Sequence, residues 1–243
     1  MNDLPMNDLP MNNAPDSRPH KHTSFGRRKG KTLRSTHAGL MQSLLPQVQI
    51  EARAVHDDPL ALYPERAEDL WLEIGFGGGE QLADDAARNK NIAFIGCEPF
   101  VNGVAKLLAE IDERKLENIR VFPGDAREIL SALPDASLGR VNILYPDPWP
   151  KSRQKKRRFI CDETLASLAR VMKPDAELRF ATDIDDYSAW TLSRILRTPQ
   201  FGWPRRNWLQ PWAFWPSTRY EAKALREGRK PVYLTFSRNA ASL

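Results

Sequence analysis

Leu70-Trp71-Leu72-Glu73-Ile74-Gly75-Phe76-Gly77-Gly78-Gly79 decides the fold. A short apolar run, extended in character, enters a turn with four glycines in five positions. Glycine tolerates positive φ and lets backbone approach a ligand closely. Residues 78–89 then read as a helix. A strand that feeds a glycine turn and opens a helix is the first unit of a nucleotide-binding α/β sheet. Outward from it the alternation continues. Residues 92–97 read as a second strand. Phe100, Val104, Leu107, Leu108 and Ile111 then share one helical face, with Pro99 in the first turn. Strands are expected at 119–122, 140–145, 176–182 and 232–236. Helices are expected at 126–132, 161–171, 185–197 and 218–228. Such a chain forms an α/β, doubly wound, mostly parallel Rossmann-like sheet with right-handed crossovers.

The 243 residues suffice for one large domain and a tail. Met1 to Pro5 is repeated as Met6 to Pro10, and Met11 to Pro15 varies it. So short a proline-bearing period builds no core, so residues 1–40 are expected as a disordered, basic tail and 41–243 as the folded domain. The net charge is +5, unevenly placed. Arg18, Lys21, Arg27, Arg28, Lys29, Lys31 and Arg34 face no acid between residues 18 and 37, and Lys151, Arg153, Lys155, Lys156, Arg157 and Arg158 form a second block. Two such clusters fit a nucleic-acid footprint, or else a solvated tail and loop. Cys97 and Cys161 are far apart, without metal-ligand spacing, which fits a reducing, cytoplasmic setting. No apolar run approaches a membrane span. All four histidines precede the glycine strand, which argues against a histidine triad or a histidine-bound metal in the core; no metal is expected.

Three acids stand in or just after the first three strands: Glu73, Glu98 and Asp125. Glu98 lies 19 residues after Gly79, where a carboxylate can accept both hydroxyls of a ribose. Asp125 could meet the edge of an adenine. Either acid could instead cap the helix that follows it. Glu73 is harder to explain structurally, because an unpaired carboxylate inside an apolar strand is costly. NAD and S-adenosylmethionine both contain adenosine. The acid before Gly75 and Gly77 favours S-adenosylmethionine, whose methionine end is cationic, over a pyrophosphate. The fourth strand delivers Tyr145-Pro146-Asp147-Pro148-Trp149-Pro150 to the same end of the sheet. Its prolines fix φ on both sides of Asp147. Trp149 could stack on a base or pack on the sheet, and the late tryptophans (Trp203, Trp208, Trp212, Trp215) read as packing for the last helix.

Taken together, Glu73 to Gly79, Glu98, Gly124-Asp125, Tyr145 to Arg158, Thr182-Asp183 and Thr218-Arg219-Tyr220-Glu221 resemble the bacterial tRNA (guanine-N7-)-methyltransferase family over roughly residues 25–237. The resemblance implies a class I S-adenosylmethionine-dependent methyltransferase domain. The implied reaction is methylation of guanine N7 at position 46 of tRNA. It further implies that Glu73, Gly75, Gly77, Glu98, Asp125 and Asp147 line the cofactor, with Asp147 also catalytic. Lys151, Asp183, Thr218, Arg219, Tyr220 and Glu221 would hold substrate. Arg153, Gln154, Lys155, Lys156, Arg157 and Arg158 would touch RNA, although Gln154 stands where the family commonly has histidine. Thr218-x-x-Glu221 has a second reading as a capping box.

Guanine N7 is an acceptor with a free lone pair and has no proton to lose. Such chemistry asks for placement and charge stabilisation, not for a strong base. Two rival readings are a methyltransferase acting on an exocyclic base amine in RNA and a non-catalytic RNA-binding protein on the same fold.

Overall fold

A computed structural model describes residues 26, 28–204 and 207–240. The repeat and most of the expected tail lie outside the described residues. The remainder departs from a tail. Residues 28–31 lie along the start of helix α4 (Val101–Arg114), where Val101 N donates to Arg28 O and the Asn102 side chain bonds both Gly30 N and Lys31 O. Helix α1 (Ser35–Ser43) crosses the expected boundary at residue 40, and α2 (Leu45–Val48) continues it. Leu40, Met41, Leu44, Leu45 and Val48 recur at helical spacing and pack into the core beside α4.

The expected strands and helices form, with small shifts at their ends. They are β1 (Asp69–Ile74), α3 (Glu80–Arg88), β2 (Ile92–Cys97), α4, β3 (Ile119–Phe122), α5 (Ala126–Ala132), β4 (Leu138–Leu144), α6 (Asp162–Val171), β5 (Met172–Thr182) and α7 (Asp185–Ile195). The short strand β6 (Phe201–Gly202), α8 (Arg219–Arg226) and β7 (Val232–Arg238) complete the described chain. The sheet order is β3-β2-β1-β4-β5-β7-β6. β1 to β5 pair in parallel, whereas β7 runs antiparallel to both β5 and β6. The order reverses between β1 and β4, so the carboxyl ends of those strands flank the crevice where open α/β sheets take ligands.

The two faces of the sheet are closed differently. Leu70, Leu72, Ile74, Val141 and Ile143 face a core shared with α5, α6 and α7. On the other face α3 and α4 cover β1 to β3, through Leu82, Ala83, Val104 and Leu107. Farther along that face the tryptophan-rich segment packs against β7. Trp212, Trp215 and Tyr233 meet edge-on at ring-centroid distances of 5.5–5.8 Å, and Trp212 Nε1 donates to Thr235 Oγ1 at 2.8 Å. Trp212 and Trp215 are thus packing, as read from sequence, with Trp215 also bonded to Glu221 of α8, whereas Trp208 is 42 % exposed. Between α3 and this segment runs a polar row set by register: Glu73 beside Asn142, Asn142 beside Arg179, Arg179 beside Thr235.

Candidate active site

At the carboxyl ends of β1 to β4 lies a cleft of about 370 Å³, within the usual range for a small-ligand site. Gly75 and Gly77 form its floor, Glu98 and Asp125 one wall, and Tyr145 and Asp147 the other. The glycine turn needs its glycines. Gly77 has φ +59°, and the Tyr220 ring lies against the space its Cβ would fill. At Gly78 a methyl group would collide with the Arg219 guanidinium. The first turn of α8 therefore closes over the cofactor-type loop, which brings Arg219 and Tyr220 to Gly77 and Gly78.

Glu98 joins two loops. Its carboxylate accepts from Gly77 N at 2.8 Å and from Phe100 N at 2.9 Å. Burial raises its pKa, and those two N–H groups oppose the rise. Asp125 caps α5 through Arg127 N at 3.0 Å and is clasped by Arg127 Nη1. The capping reading holds for Asp125 alone, since Glu98 bonds Phe100 N ahead of α4, whose own N-cap makes no side-chain hydrogen bond; both acids face the cleft. Glu73 sits beneath the turn, 3 % exposed, and its Oε2 has no hydrogen-bond partner among the described residues. Burial pushes its pKa well above the carboxylate range, and nearby Asp85 adds to the rise. Sequence reading missed Asp85 and Asn142, which share this pocket (Asn142 Nδ2 to Asp85 Oδ2, 3.4 Å). Asn142 carried the same signal as Glu73, a polar residue inside an apolar strand.

Asp147 is accessible by surface area. It stands in a concave wall, however, where neighbouring atoms displace enough water to raise its pKa. It is bracketed by two left-handed residues, Tyr145 (φ 50°) and Trp149 (φ 42°), a conformation that costs non-glycine residues about 1–3 kcal/mol each. The Tyr145 hydroxyl is buried without a hydrogen-bond partner among the described residues, close to Asp183 and Glu221. Trp149 faces the cleft with the Arg157 guanidinium 5.0 Å above its ring.

The cationic block divides. Residues 152–157 form a short 3-10 helix. Lys151, Arg153 and Lys156 are exposed, Gln154 is partly exposed, and Lys155 pairs with Asp186 at 2.7 Å. Arg158 departs from the expected RNA contact. It is 1 % exposed, and its donors are taken by Pro148 O and by the backbone and carboxylate of Asp186.

The substrate set is likewise partly structural. Thr218 caps α8 by accepting from Glu221 N at 3.2 Å. Glu221 does not complete a capping box. It is buried and accepts from Trp215 Nε1 and from the Tyr233 hydroxyl. That commitment leaves it in the aromatic cluster, away from the expected direct hold on substrate. Asp183 is paired with Arg229 at 2.5 Å. Among the described residues no group of His, Cys, Asp and Glu is placed to hold a metal, and no helix is long and apolar enough to cross a membrane.

A parallel Rossmann-like sheet with an antiparallel β7 beside β5, carrying a strand-end acidic cleft over a glycine turn, defines a methyltransferase of class I type. The family described as "Putative methyltransferase" matches residues 67–234. A tRNA (guanine-N(7)-)-methyltransferase of Rhodopseudomonas palustris (strain BisA53) is 50 % identical over 231 residues, which cover 93 % of this chain and 92 % of that protein. Another, from Agrobacterium fabrum, is 49 % identical over 88 % of this chain and 94 % of its own length. The chain belongs to the tRNA (guanine-N7-)-methyltransferase family. Among solved structures, the 16S rRNA methyltransferase KamB superposes with a TM-score of 0.54 at 16 % identity, covering 72 % of this chain and 89 % of that one, a likeness of fold alone.

The residues present fit S-adenosylmethionine, the cofactor of this class. Glu73 Oε2 is a buried acceptor without a donor, suited to a cationic group brought to the turn. The space where a Cβ of Gly75 would lie is open.

Proposed function

We propose that this protein transfers a methyl group from S-adenosylmethionine to N7 of guanine at position 46 of tRNA, forming 7-methylguanosine, in the cytoplasm. The observation that carries the reading is the place of Asp147. It stands in the cleft at the β1/β4 switch point, close enough to Glu98 for their charges to interact, and four residues before the exposed Lys151. A base entering along the cations would present its edge to Asp147 with the glycine turn behind.

Bound S-adenosylmethionine would supply an electrophilic methyl group. Glu73, Gly75, Gly77, Glu98 and Asp125 would hold it, with Glu73 facing the cationic methionine end and Glu98 and Asp125 the adenosine. Asp147 orients the guanine and faces the positive charge that grows on the ring as N7 is alkylated. Partial desolvation strengthens that interaction. No residue needs to remove a proton, and the cleft lining among the described residues contains no histidine. Arg219 and Tyr220 close the glycine turn, while Thr218 and Glu221 hold α8 in place for them. Lys151, Arg153 and Lys156 meet phosphates. Arg157, over Trp149, lies at the junction of cleft and RNA.

The test is transfer of labelled methyl to bulk tRNA by the purified full chain, then reduction and aniline cleavage, which cuts at 7-methylguanosine. A cut at position 46 supports the reading. Label that resists cleavage, or that maps to an exocyclic amine, overturns it.

A further inference from the structure

We propose that Arg158 is a positioning residue for Asp147: it fastens the Tyr145–Pro150 turn to α7. The inference rests on the reading that Asp147 faces the methyl acceptor. Three of the six residues in that turn are prolines, without an N–H to tie it down. Tyr145 N donates to Ala181 O at its start. Past Asp147, the Arg158 Nε donates to Pro148 O at 2.8 Å. The other end of the guanidinium holds Asp186 at the start of α7, through its backbone carbonyl at 3.2 Å and its carboxylate. Tyr187 and Trp190 flank the group at 4.7 and 5.0 Å. A planar, rigid fork suits such a bridge better than an ammonium does. The two left-handed residues on either side of Asp147 need an outside hold, since strained backbone persists only where its surroundings over-determine it.

The experiment compares full-length wild type, Arg158→Met, Arg158→Lys and Asp186→Ala. It reads kcat at saturating tRNA, KM for tRNA, the salt dependence of tRNA binding, and amide exchange by mass spectrometry. Asp186 is half exposed, so its variant keeps the fold if Arg158→Met does not. Loosening the turn by a fraction of an ångström is expected to lower kcat about 10- to 100-fold in Arg158→Met. Arg158→Lys and Asp186→Ala follow in the same direction by less. KM and the salt slope are expected to stay within about twofold of wild type, because the buried group meets no phosphate. Exchange at the amides of Asp147 and Trp149 is expected to rise while the β1, β4 and β5 amides hold.

Unchanged kcat and exchange in Arg158→Met and Asp186→Ala overturn the proposal. So does a loss confined to KM with a flatter salt slope, which marks an RNA contact, and so does exchange rising across the whole sheet. If the wild type methylates no tRNA, the function reading fails, and local exchange at residues 147 and 149 alone decides the role of Arg158.

Discussion

Replacing Glu73 with glutamine is expected to stabilise the protein and disable it at once. Glu73 lies on β1 with its carboxyl enclosed between Asn142 and Asp85, its Oε2 without a donor, and its pKa raised by burial. In the unfolded chain the same group ionises in the ordinary carboxylate range. The folded chain therefore holds the proton more tightly. That contribution to stability is complete below the ordinary carboxylate pKa and is lost as pH rises through the folded value. As pH rises through that folded value, the wild type takes on the burden of a buried carboxylate. Glutamine removes it, replaces the unpartnered oxygen by an amide nitrogen and offers an N–H to Asn142 Oδ1, an acceptor without a donor among the described residues. A buried unsatisfied group costs about 1–3 kcal/mol. With imperfect amide geometry a gain of about 1–2 kcal/mol is expected at pH 8, or about 2–8 °C in Tm for a chain of this size. Toward acid pH, where the raised pKa keeps wild-type Glu73 protonated, the gain shrinks. Thermal melts of both proteins from pH 5 to 8.5 read this directly. Titration calorimetry is expected to show S-adenosylmethionine affinity reduced at least about tenfold, the 1.4 kcal/mol equivalent of one lost charge contact. A variant less stable than wild type at pH 8, or equally stabilised at both pH values, would refute the account of Glu73. Unchanged cofactor affinity would refute its role toward the cation.

The remaining variants separate the other roles. Asp147→Ala should lower turnover by about 10²- to 10³-fold with tRNA affinity nearly intact; near-normal single-turnover rates would remove Asp147 from the chemistry. The triple change of Lys151, Arg153 and Lys156 to alanine should weaken tRNA binding and reduce the salt slope by about 2–3, and an unchanged slope would exclude phosphate contact there. Thr218→Ala should cost about 1 kcal/mol through the lost cap and raise KM for S-adenosylmethionine, because α8 carries Tyr220 to Gly77; a lower Tm with unchanged cofactor KM would confine Thr218 to capping.

What the sequence disclosed follows from what one-dimensional patterns encode. The parallel strands and the glycine turn were legible because apolar runs and glycine carry their own local reasons. The antiparallel course of β7 was not, since an alternating run does not record the direction of its neighbour. The helix at residues 35–43 was hidden by the basic stretch in front of it, although Leu40, Met41, Leu44, Leu45 and Val48 already carried a helical spacing. Arg158 could not be told from Arg157 by composition. One residue along a 3-10 turn points the side chain inward, and only the position of α7 makes that inward site a place for a guanidinium.

Whether the strand-end acids cap helices or hold cofactor was the sharpest ambiguity in the sequence, and the geometry removes the opposition between the two. A carboxylate offers about four lone-pair sites. Glu98 uses one on each oxygen, for Gly77 and Phe100, and Asp125 gives Oδ1 to Arg127 N and both oxygens to Arg127 Nη1, while both residues line the cleft. These bonds fix the carboxylates in the absence of a ligand, so on the proposed reading hydroxyls or an amine would meet acceptors already oriented and little ordering would remain to be done on binding. Glu221 marks the limit of this logic. Its two oxygens are both taken by side chains of the aromatic cluster, deep under α8. An acid that the family resemblance implies as a substrate ligand is thus committed, among the described residues, to Trp215 and Tyr233.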